Sequence, residues 1–130
     1  MAAAIKCHSL SDDQGITGLR AALNVIELWR GTLDQTCRIL HISQSIYASA
    51  KQQEPEWSVV LDCEQLQRIS LVLNTHAALG TIFTNPDNIY GFPSMVNHND
   101  FFAGRSPLEV MAEGDLASLT ETCNRIDALR

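Results

Sequence analysis

The chain has 130 residues, of which 45% are hydrophobic and 18% charged, and its formal net charge is −6. That length is enough for one compact domain, or for two small parts that share a core. No apolar run approaches the roughly 18 residues that a membrane-spanning helix needs, and polar residues follow Met1–Lys6 too soon for a signal peptide. We therefore expect a cytoplasmic protein that makes no contact with a membrane.

The charges are distributed unevenly along the sequence. Residues 1–53 carry five basic and four acidic side chains, whereas residues 54–130 carry four basic and eleven acidic ones. The acidic second part is a poor surface for nucleic acid and a suitable surface for a basic partner. If any part of the chain binds DNA, we expect it to be the first.

The sequence contains no pattern typical of a catalytic or metal site. Cysteines and histidines are scattered, with no CxxC, HExxH or HxH spacing: Cys7, Cys37, Cys63, Cys123, His8, His41, His76 and His98. Phosphate-binding loops and nucleophile motifs are not found either. We expect reduced cysteines that act as small buried residues, no metal, no cofactor and no enzymatic activity.

Helical patterns begin after a polar N-terminal segment. Residues 1–15 lack hydrophobic periodicity, which predicts a flexible lead-in. Three predicted helices follow, each behind a capping hydroxyl: Thr17 to about Arg30, closed by Gly31; Leu33 to Leu40 after Thr32; and Ser43 to about Gln53. The capping residues set the beginning of each helix, since their side chains satisfy backbone N–H groups of the first turn.

The second and third of these helices have the spacing of a helix-turn-helix unit. Apolar residues fall where that unit needs anchors, at Leu40, Ile42 and Tyr47. His41 stands in the place of the usual turn glycine, at a position that often takes a left-handed backbone. The pattern predicts a helix-turn-helix-like domain over residues 16–61, and an ordinary helical hairpin without a ligand is the alternative.

The longest predicted helix follows a linker in which we expect Trp57 to pack against the bundle. Asp62 and Gln65 form a capping-box pattern at its start, and its apolar residues occupy more than one side, which is typical of a central helix. Asn85-Pro86-Asp87 is expected to stop it. Residues 88–97 predict one broken helix, because a glycine and a proline interrupt their apolar pattern.

The run Phe101–Gly114 has the densest set of structure-determining residues in the chain. Gly104 can take backbone conformations that are closed to other residues. Ser106 is the predicted cap of a short helix, with Pro107 as its first residue and Glu109 as its third, which makes a capping box with proline at its favoured position. At least one of the two phenylalanines that begin the run is expected in the core.

A last amphipathic helix is predicted from Asp115 to the end of the chain. No segment shows the alternation of a half-buried strand. The sequence therefore predicts an all-α helical bundle, in which residues 62–130 form a second helical part.

Three segments resemble the Xre/MbcA/ParS family of bacterial antitoxins. The first is the helix-turn-helix-like Leu33–Lys51, in which Leu40-His41-Ile42-Ser43 stands where family members often have Leu-Gly-Val-Ser. The second, residues 66–83, is similar to a family helix. The most specific segment, Asn99–Gly114, looks like the family's Asn followed by Phe-Gly-Gly-Arg-Ser/Thr-Pro-Leu and a later Gly. The resemblance covers roughly Leu19 to Leu129.

The chain departs from the family pattern at several positions. Ala103 replaces the first glycine of the pair, Met95-Val96 stands where Trp-Leu is common, and His98 replaces a proline. The third predicted helix offers only Lys51 as a basic residue, where the family often has basic or aromatic side chains.

The resemblance implies an antitoxin of a type II toxin–antitoxin system. Family members of this type pair with RES-domain toxins, which consume NAD or transfer ADP-ribose from it, and the antitoxin's C-terminal part obstructs the toxin's NAD site. They are usually dimers, and the helix-turn-helix part commonly serves dimerisation and repression of the operon. The resemblance therefore implies a RES-domain partner, a homodimer and operator DNA as a further ligand.

Two sets of candidate binding residues follow. The candidate toxin contacts are Arg105, Arg125, Leu129 and Arg130; the candidate DNA contacts are Ser43, Gln44, Ser45 and Lys51. Arg105 has an alternative role as a structural residue that ties the preceding loop to a helix end. Two other functions stay open for the whole chain: a DNA-binding transcriptional regulator, and a helical adaptor for an enzyme that is not a toxin.

Overall fold

The computed structural model describes residues 12–52, 57, 59–98 and 100–129. These residues form seven α-helices and one 3-10 helix: α1 (Asp12–Leu28), α2 (Leu33–Leu40), α3 (Gln44–Gln52), α4 (Cys63–Ile82), α5 (Pro86–Gly91), the 3-10 helix (Phe92–Ser94), α6 (Pro107–Met111) and α7 (Leu116–Asp127). The described ranges contain no strand, only an isolated antiparallel bridge between Asn97 and Arg105. The predicted all-α class is confirmed.

Helix α1 begins at Asp12, so the predicted beginning at Thr17 is wrong. Gly15 and Ile16 are buried in the protein, and a Cβ added to Gly15 would lie 3.5 Å from the side chain of Leu66 in α4. Packing against α4 thus extends the helix through residues whose local pattern is that of a loop. The part of the predicted lead-in that the structure describes is helical.

The end of α1 falls where the sequence predicts, but a different residue makes the turn. Arg30, with φ of 69°, takes the left-handed conformation. Its N–H donates to Glu27 O and the N–H of Gly31 donates to Ile26 O, each over 2.9 Å, which is the Schellman arrangement. Gly31 is needed for space, because a Cβ there would lie 2.5 Å from Ile26 Cγ2.

The turn between α2 and α3 is held against the beginning of α4. His41 adopts a left-handed conformation, with φ of 58° and ψ of 49°, so it takes the backbone shape that a turn glycine would take. Its carbonyl accepts a hydrogen bond from Gln65 Nε2 at 2.8 Å, and its Nδ1 lies 3.3 Å from Glu64 Oε2. A polar turn residue therefore serves a second purpose as an anchor to α4.

Helix α4 is the centre of the bundle and packs against both α1 and α7. One hydrophobic cluster includes residues of α1, α2, α4, α6 and α7, and its fully buried larger members are Leu19, Ile26, Trp29, Ile39, Leu40, Val72, Leu79, Met111, Leu119 and Ile126. Trp57 packs onto this cluster as predicted. Within the described ranges, no helix is long and apolar enough to cross a membrane.

Where the sequence predicts one broken helix over residues 88–97, the chain forms α5 followed directly by the 3-10 helix. Phe83 ends α4 in an extended conformation. Asn85 then caps α5 by accepting the N–H of Asp87 at 2.9 Å, and Pro86 is the first helical residue. The Asn-Pro-Asp segment thus marks both the end of one helix and the beginning of the next.

The expectation that all four cysteines are reduced is wrong for Cys63, which is disulfide-bonded. Cys37 and Cys123 are free, and Cys7 lies outside the described residues. Burial raises the pKa of the Cys37 thiol, and nearby Asp34 raises it further. Sequence spacing could not reveal the disulfide, because bridging depends on which sulfur atoms the fold brings together.

Candidate functional site

Residues 100–114, the described part of the segment that resembles the antitoxin motif, are called the family-like segment here. They form a turn followed by a capped helix. Ser106 Oγ accepts the N–H of Glu109 at 3.1 Å, and Glu109 Oε1 accepts the N–H of Ser106 at 2.8 Å. Pro107 is the first residue of α6. The predicted capping box is confirmed, and it begins a helix whose apolar side chains, Leu108, Val110 and Met111, enter the core.

Arg105 holds the turn that precedes this helix. Its Nε donates to Phe102 O and its Nη2 to Phe101 O, each at 2.9 Å. Its Nη1 pairs with Glu113, just beyond α6. Arg105 thus ties the turn to the end of α6, the structural role held open for it, and its contact with a toxin stays a prediction.

Two successive residues of the turn have positive φ, Ala103 at 53° and Gly104 at 87°. The turn closes through two backbone hydrogen bonds, from Gly104 N to Asn97 O at 2.7 Å and from Asn97 N to Arg105 O at 3.0 Å. Ala103 therefore adopts a backbone shape for which a glycine is suited. Asn99 lies outside the described residues.

Replacing Ala103 with glycine is expected to stabilise the protein by about 1 kcal/mol, because it removes the steric cost of a left-handed alanine. Urea unfolding measures the change as a higher midpoint at constant slope. Ala48→Gly, at an exposed site inside α3, is the control and should destabilise by about 1 kcal/mol. Equal losses in both variants would contradict the strain at Ala103.

Arg125, one of the candidate toxin contacts, lies beside this turn. Arg125 pairs with Glu121 at 2.7 Å, and its guanidinium carbon lies 5.0 Å from the centre of the Phe101 ring. Phe101 also stacks edge-on against the buried ring of Phe102. Leu129, four residues beyond Arg125, is 54% exposed. Arg130 lies outside the described residues.

The α2–α3 part has few side chains that are free to contact DNA. Ser43 caps α3, its Oγ accepting the N–H of Ile46 at 3.1 Å, while Gln44 and Ser45 are exposed at the beginning of the helix. Lys51 Nζ lies 3.2 Å from a carboxylate oxygen of Glu27. The lysine proposed for a phosphate is therefore already paired.

Other basic side chains nearby are engaged in the same way. Arg38 forms an exposed ion pair with Asp34 at 3.0 Å. Arg20 Nε donates to Ala50 O at 3.2 Å, and its guanidinium stacks over Trp57. These pairings reduce the free positive charge that Arg20, Arg38 and Lys51 could offer to DNA phosphates, the usual basis of non-specific DNA affinity.

Arg68 is a structural residue whose role the sequence does not predict. Its side chain is 2% exposed and pairs with Glu64, one turn earlier, at 2.9 Å. Nη1 donates to Ile39 O at 3.1 Å, at the end of α2, and Nη2 donates to Gly114 O at 2.9 Å, between α6 and α7. One guanidinium thus joins the candidate DNA-binding part to the family-like segment.

The described part of the chain holds no cluster of potential metal ligands. No three side chains among its histidines, cysteines, aspartates and glutamates lie close enough to hold a metal ion. No protein-family model matches the chain, and no curated protein is similar enough in sequence to be a relative. The likeness to the antitoxins rests on the sequence segments described above.

Proposed function

We propose that this protein is a type II antitoxin that binds a RES-domain toxin and occludes its NAD site. The observation that carries the proposal is the turn at Ala103 and Gly104. It supplies two left-handed residues, an anchoring Arg105 and a capping Ser106 in the order of the family's Gly-Gly-Arg-Ser/Thr motif. At Ala103, which replaces the first glycine of that motif, the left-handed backbone conformation supports the resemblance beyond residue identity.

Inhibition in this proposal is steric and electrostatic. Arg125 lies in the last turn of α7, and the exposed Leu129 follows two residues after that helix ends. Arg130 follows in sequence and would bring a guanidinium, the group best suited to bidentate contacts with phosphates. A tail that enters a pocket built for a dinucleotide diphosphate would compete with NAD for the same space.

The proposed assembly is a cytoplasmic homodimer. Leu28 and Leu33 are 45% and 42% exposed on either side of the α1–α2 turn. Apolar side chains of this size at the surface are suited to a contact between copies.

The first expected result concerns the partner and the tail. The chain should co-purify with a RES-domain protein encoded next to it and suppress that protein's consumption of NAD. Ending the chain at Asp127 removes Leu129 and the terminal arginine, so inhibition should weaken at least tenfold while the melting temperature changes little. The readouts are NAD consumption at graded inhibitor concentration and thermal unfolding.

A matched control compares two exposed apolar residues, Leu129 and Val60. Leu129→Asp should weaken inhibition, whereas Val60→Asp, at an 82% exposed residue, should leave it unchanged. Full inhibition by the shortened chain would remove the tail mechanism. Lack of any complex with a RES-domain protein would remove the antitoxin function and favour an adaptor for another enzyme.

Operator binding is a second candidate function. It is favoured by the two short helices that His41–Ser43 connects and by the exposed Gln44 and Ser45 at the beginning of α3. Glutamine side chains can pair with adenine in the major groove, and a dimer would present two such helices.

Because Lys51 is already paired with Glu27, we expect weak binding to the chain's own promoter, with a shallow dependence on salt. Fluorescence anisotropy of a labelled promoter fragment measures both quantities. Gln44→Ala should reduce the preference for the promoter over other DNA. Lys51→Ala should weaken binding to all DNA sequences to the same degree. No binding with or without the partner would exclude the regulatory role.

A further inference from the structure

A small cavity between α1 and the last turn of α3 is lined by three side chains that can donate hydrogen bonds. Its volume is about 40 Å³, and its walls are Arg20, Leu23, Asn24, Ala50 and Lys51. A water molecule takes about 30 Å³ in the liquid, so one or two oxygen-sized atoms fit inside. Because Asn24 and Lys51 are exposed, a larger group could place one of its atoms in the cavity and keep the rest at the surface.

Arg20 has an unsatisfied donor. Its Nε donates to Ala50 O at 3.2 Å, and its guanidinium carbon lies 5.8 Å from the centre of the Trp57 ring. Its Nη2 is buried without a hydrogen-bond partner. A carbonyl and an aromatic ring carry no formal charge, and no carboxylate in the described part of the chain forms an ion pair with Arg20. A buried donor of a charged group therefore lacks an acceptor, which costs free energy that a ligand would recover.

The rest of the lining favours an anion over water as that ligand. Asn24 can donate through its amide, Lys51 carries a second positive charge, and no acidic side chain is among the walls. Glu27 pairs with Lys51 at 3.2 Å, so the charge still to be balanced is that of Arg20. Water would satisfy the N–H group but not the charge. Guanidinium, amide and ammonium donors together match an oxyanion with several oxygen atoms, such as phosphate.

We propose that the α1–α3 cavity binds one phosphate group. One phosphate oxygen would enter the cavity and accept the N–H of Arg20 Nη2, and the other oxygens would lie at the surface near Asn24 and Lys51. Inorganic phosphate and a backbone phosphate of DNA present the same oxygens, so either can be the source. The inference does not depend on the antitoxin function, and only the DNA source depends on operator binding.

The first test titrates the whole ¹⁵N-labelled chain with sodium phosphate at constant pH, with sodium chloride balancing the ionic strength. We expect saturable shifts in the amides of residues 20–24 and 50–51 and in the Arg20 Nε–H signal, with a dissociation constant on the order of 1 mM. Acetate, which has two oxygens and a single charge, should bind several-fold more weakly. Shifts that do not saturate would show that the cavity holds only water, and equal binding of acetate would contradict a phosphate site. Either result would overturn the proposal.

Two variants of equal size and charge change test the position of the site. Asn24→Asp places a carboxylate one helical turn from Arg20, where it can pair with the guanidinium and repel phosphate, so binding should weaken roughly tenfold. Asn74→Asp makes the same change at an exposed position inside α4 and should bind phosphate as the wild type does. Phosphate should raise the melting temperature of the wild type and of Asn74→Asp, but not that of Asn24→Asp. Equal losses in both variants would indicate a general charge effect and would overturn the site.

Duplex DNA identifies the source of the phosphate. If a backbone phosphate occupies the cavity, Asn24→Asp should make the dependence of log affinity on log salt less steep by about 0.9, measured by fluorescence anisotropy. An unchanged slope, together with the loss of phosphate binding, assigns the cavity to free phosphate. Inhibition of a RES-domain partner should be the same for the wild type and Asn24→Asp, because no residue of the cavity is a candidate toxin contact. Failure of the phosphate site and failure of the antitoxin function would thus be seen separately.

Discussion

Replacing Arg68 with methionine is expected to lower the free energy of unfolding by about 3 kcal/mol. Methionine keeps much of the volume but leaves the carbonyls of Arg38, Ile39 and Gly114 without their donor. Each buried acceptor that loses its only partner costs about 1–3 kcal/mol, and the costs overlap where water can enter. Because these carbonyls lie on two different elements, both the α2–α3 part and the α6–α7 connection should loosen.

Arg38→Met provides the control, because it removes another arginine of an i, i+4 ion pair. Arg38 and Asp34 are largely exposed, so this variant should change stability by no more than about 0.5 kcal/mol. Urea unfolding measures both variants, and hydrogen exchange in α2 and around Gly114 locates the loss. Equal stability losses, or a loss confined to α4, would show that Arg68 does not join the two parts.

Local helix signals could be read from the sequence because their chemistry spans only four residues. Thr32, Asp62 and Ser106 each cap a helix, and in each case the third helical residue returns a hydrogen bond to the cap. These reciprocal hydrogen bonds form wherever the capping-box pattern stands at the beginning of a helix, and they do not depend on contacts with distant residues. The beginnings of α2, α4 and α6 were therefore predictable.

Features that depend on distant contacts were not predictable in the same way. Arg68 lies in a sequence that gives no sign of burial, since arginines are almost always exposed unless they are paired. The only local signal was Glu64 one turn before it, on a helix that is otherwise apolar. The left-handed turns at Arg30 and Ala103 were missed because neither residue type favours that conformation.

In the candidate site, too, the features with local hydrogen bonds were predictable and those that depend on distant contacts were not. The sequence predicted the Ser106 cap and the short helix that follows it, whose hydrogen bonds are local. It did not predict that Phe101 would lie under Arg125, or that α4 and α7 would enclose a polar groove. Both features arise from the packing of α7 against elements far away in the sequence.

Trp29 is expected to give the largest effect of any single substitution by alanine, a loss of about 3–5 kcal/mol in the free energy of unfolding. Its ring is completely buried at the end of α1, and its Nε1–H donates to His76 Nδ1 of α4 at 3.3 Å. His76 in turn stacks on Tyr90 of α5, with the rings 9° from parallel. The substitution thus removes both a large apolar surface and the first link of a contact chain through α1, α4 and α5.

The acid dependence of stability separates the hydrogen bond from the volume of the ring. His76 must be neutral at Nδ1 to accept the Trp29 N–H, and burial lowers its pKa below 6.5. The unfolded chain therefore takes up the proton first. The contribution of His76 to the free energy of unfolding is complete above pH 6.5. It is lost as the pH falls toward the lower pKa of the folded state, by at most about 1.4 kcal/mol per pH unit. His76→Gln, which keeps an acceptor that does not titrate, should remove this part of the acid sensitivity, and His98→Gln, at an exposed histidine, should retain it. Urea unfolding between about pH 5 and 8 measures the difference. A titrating link between α1 and α4 must respond to proton concentration, whereas a glutamine cannot. Parallel curves of unfolding free energy against pH for the wild type and His76→Gln would therefore show that protonation of His76 does not break the contact.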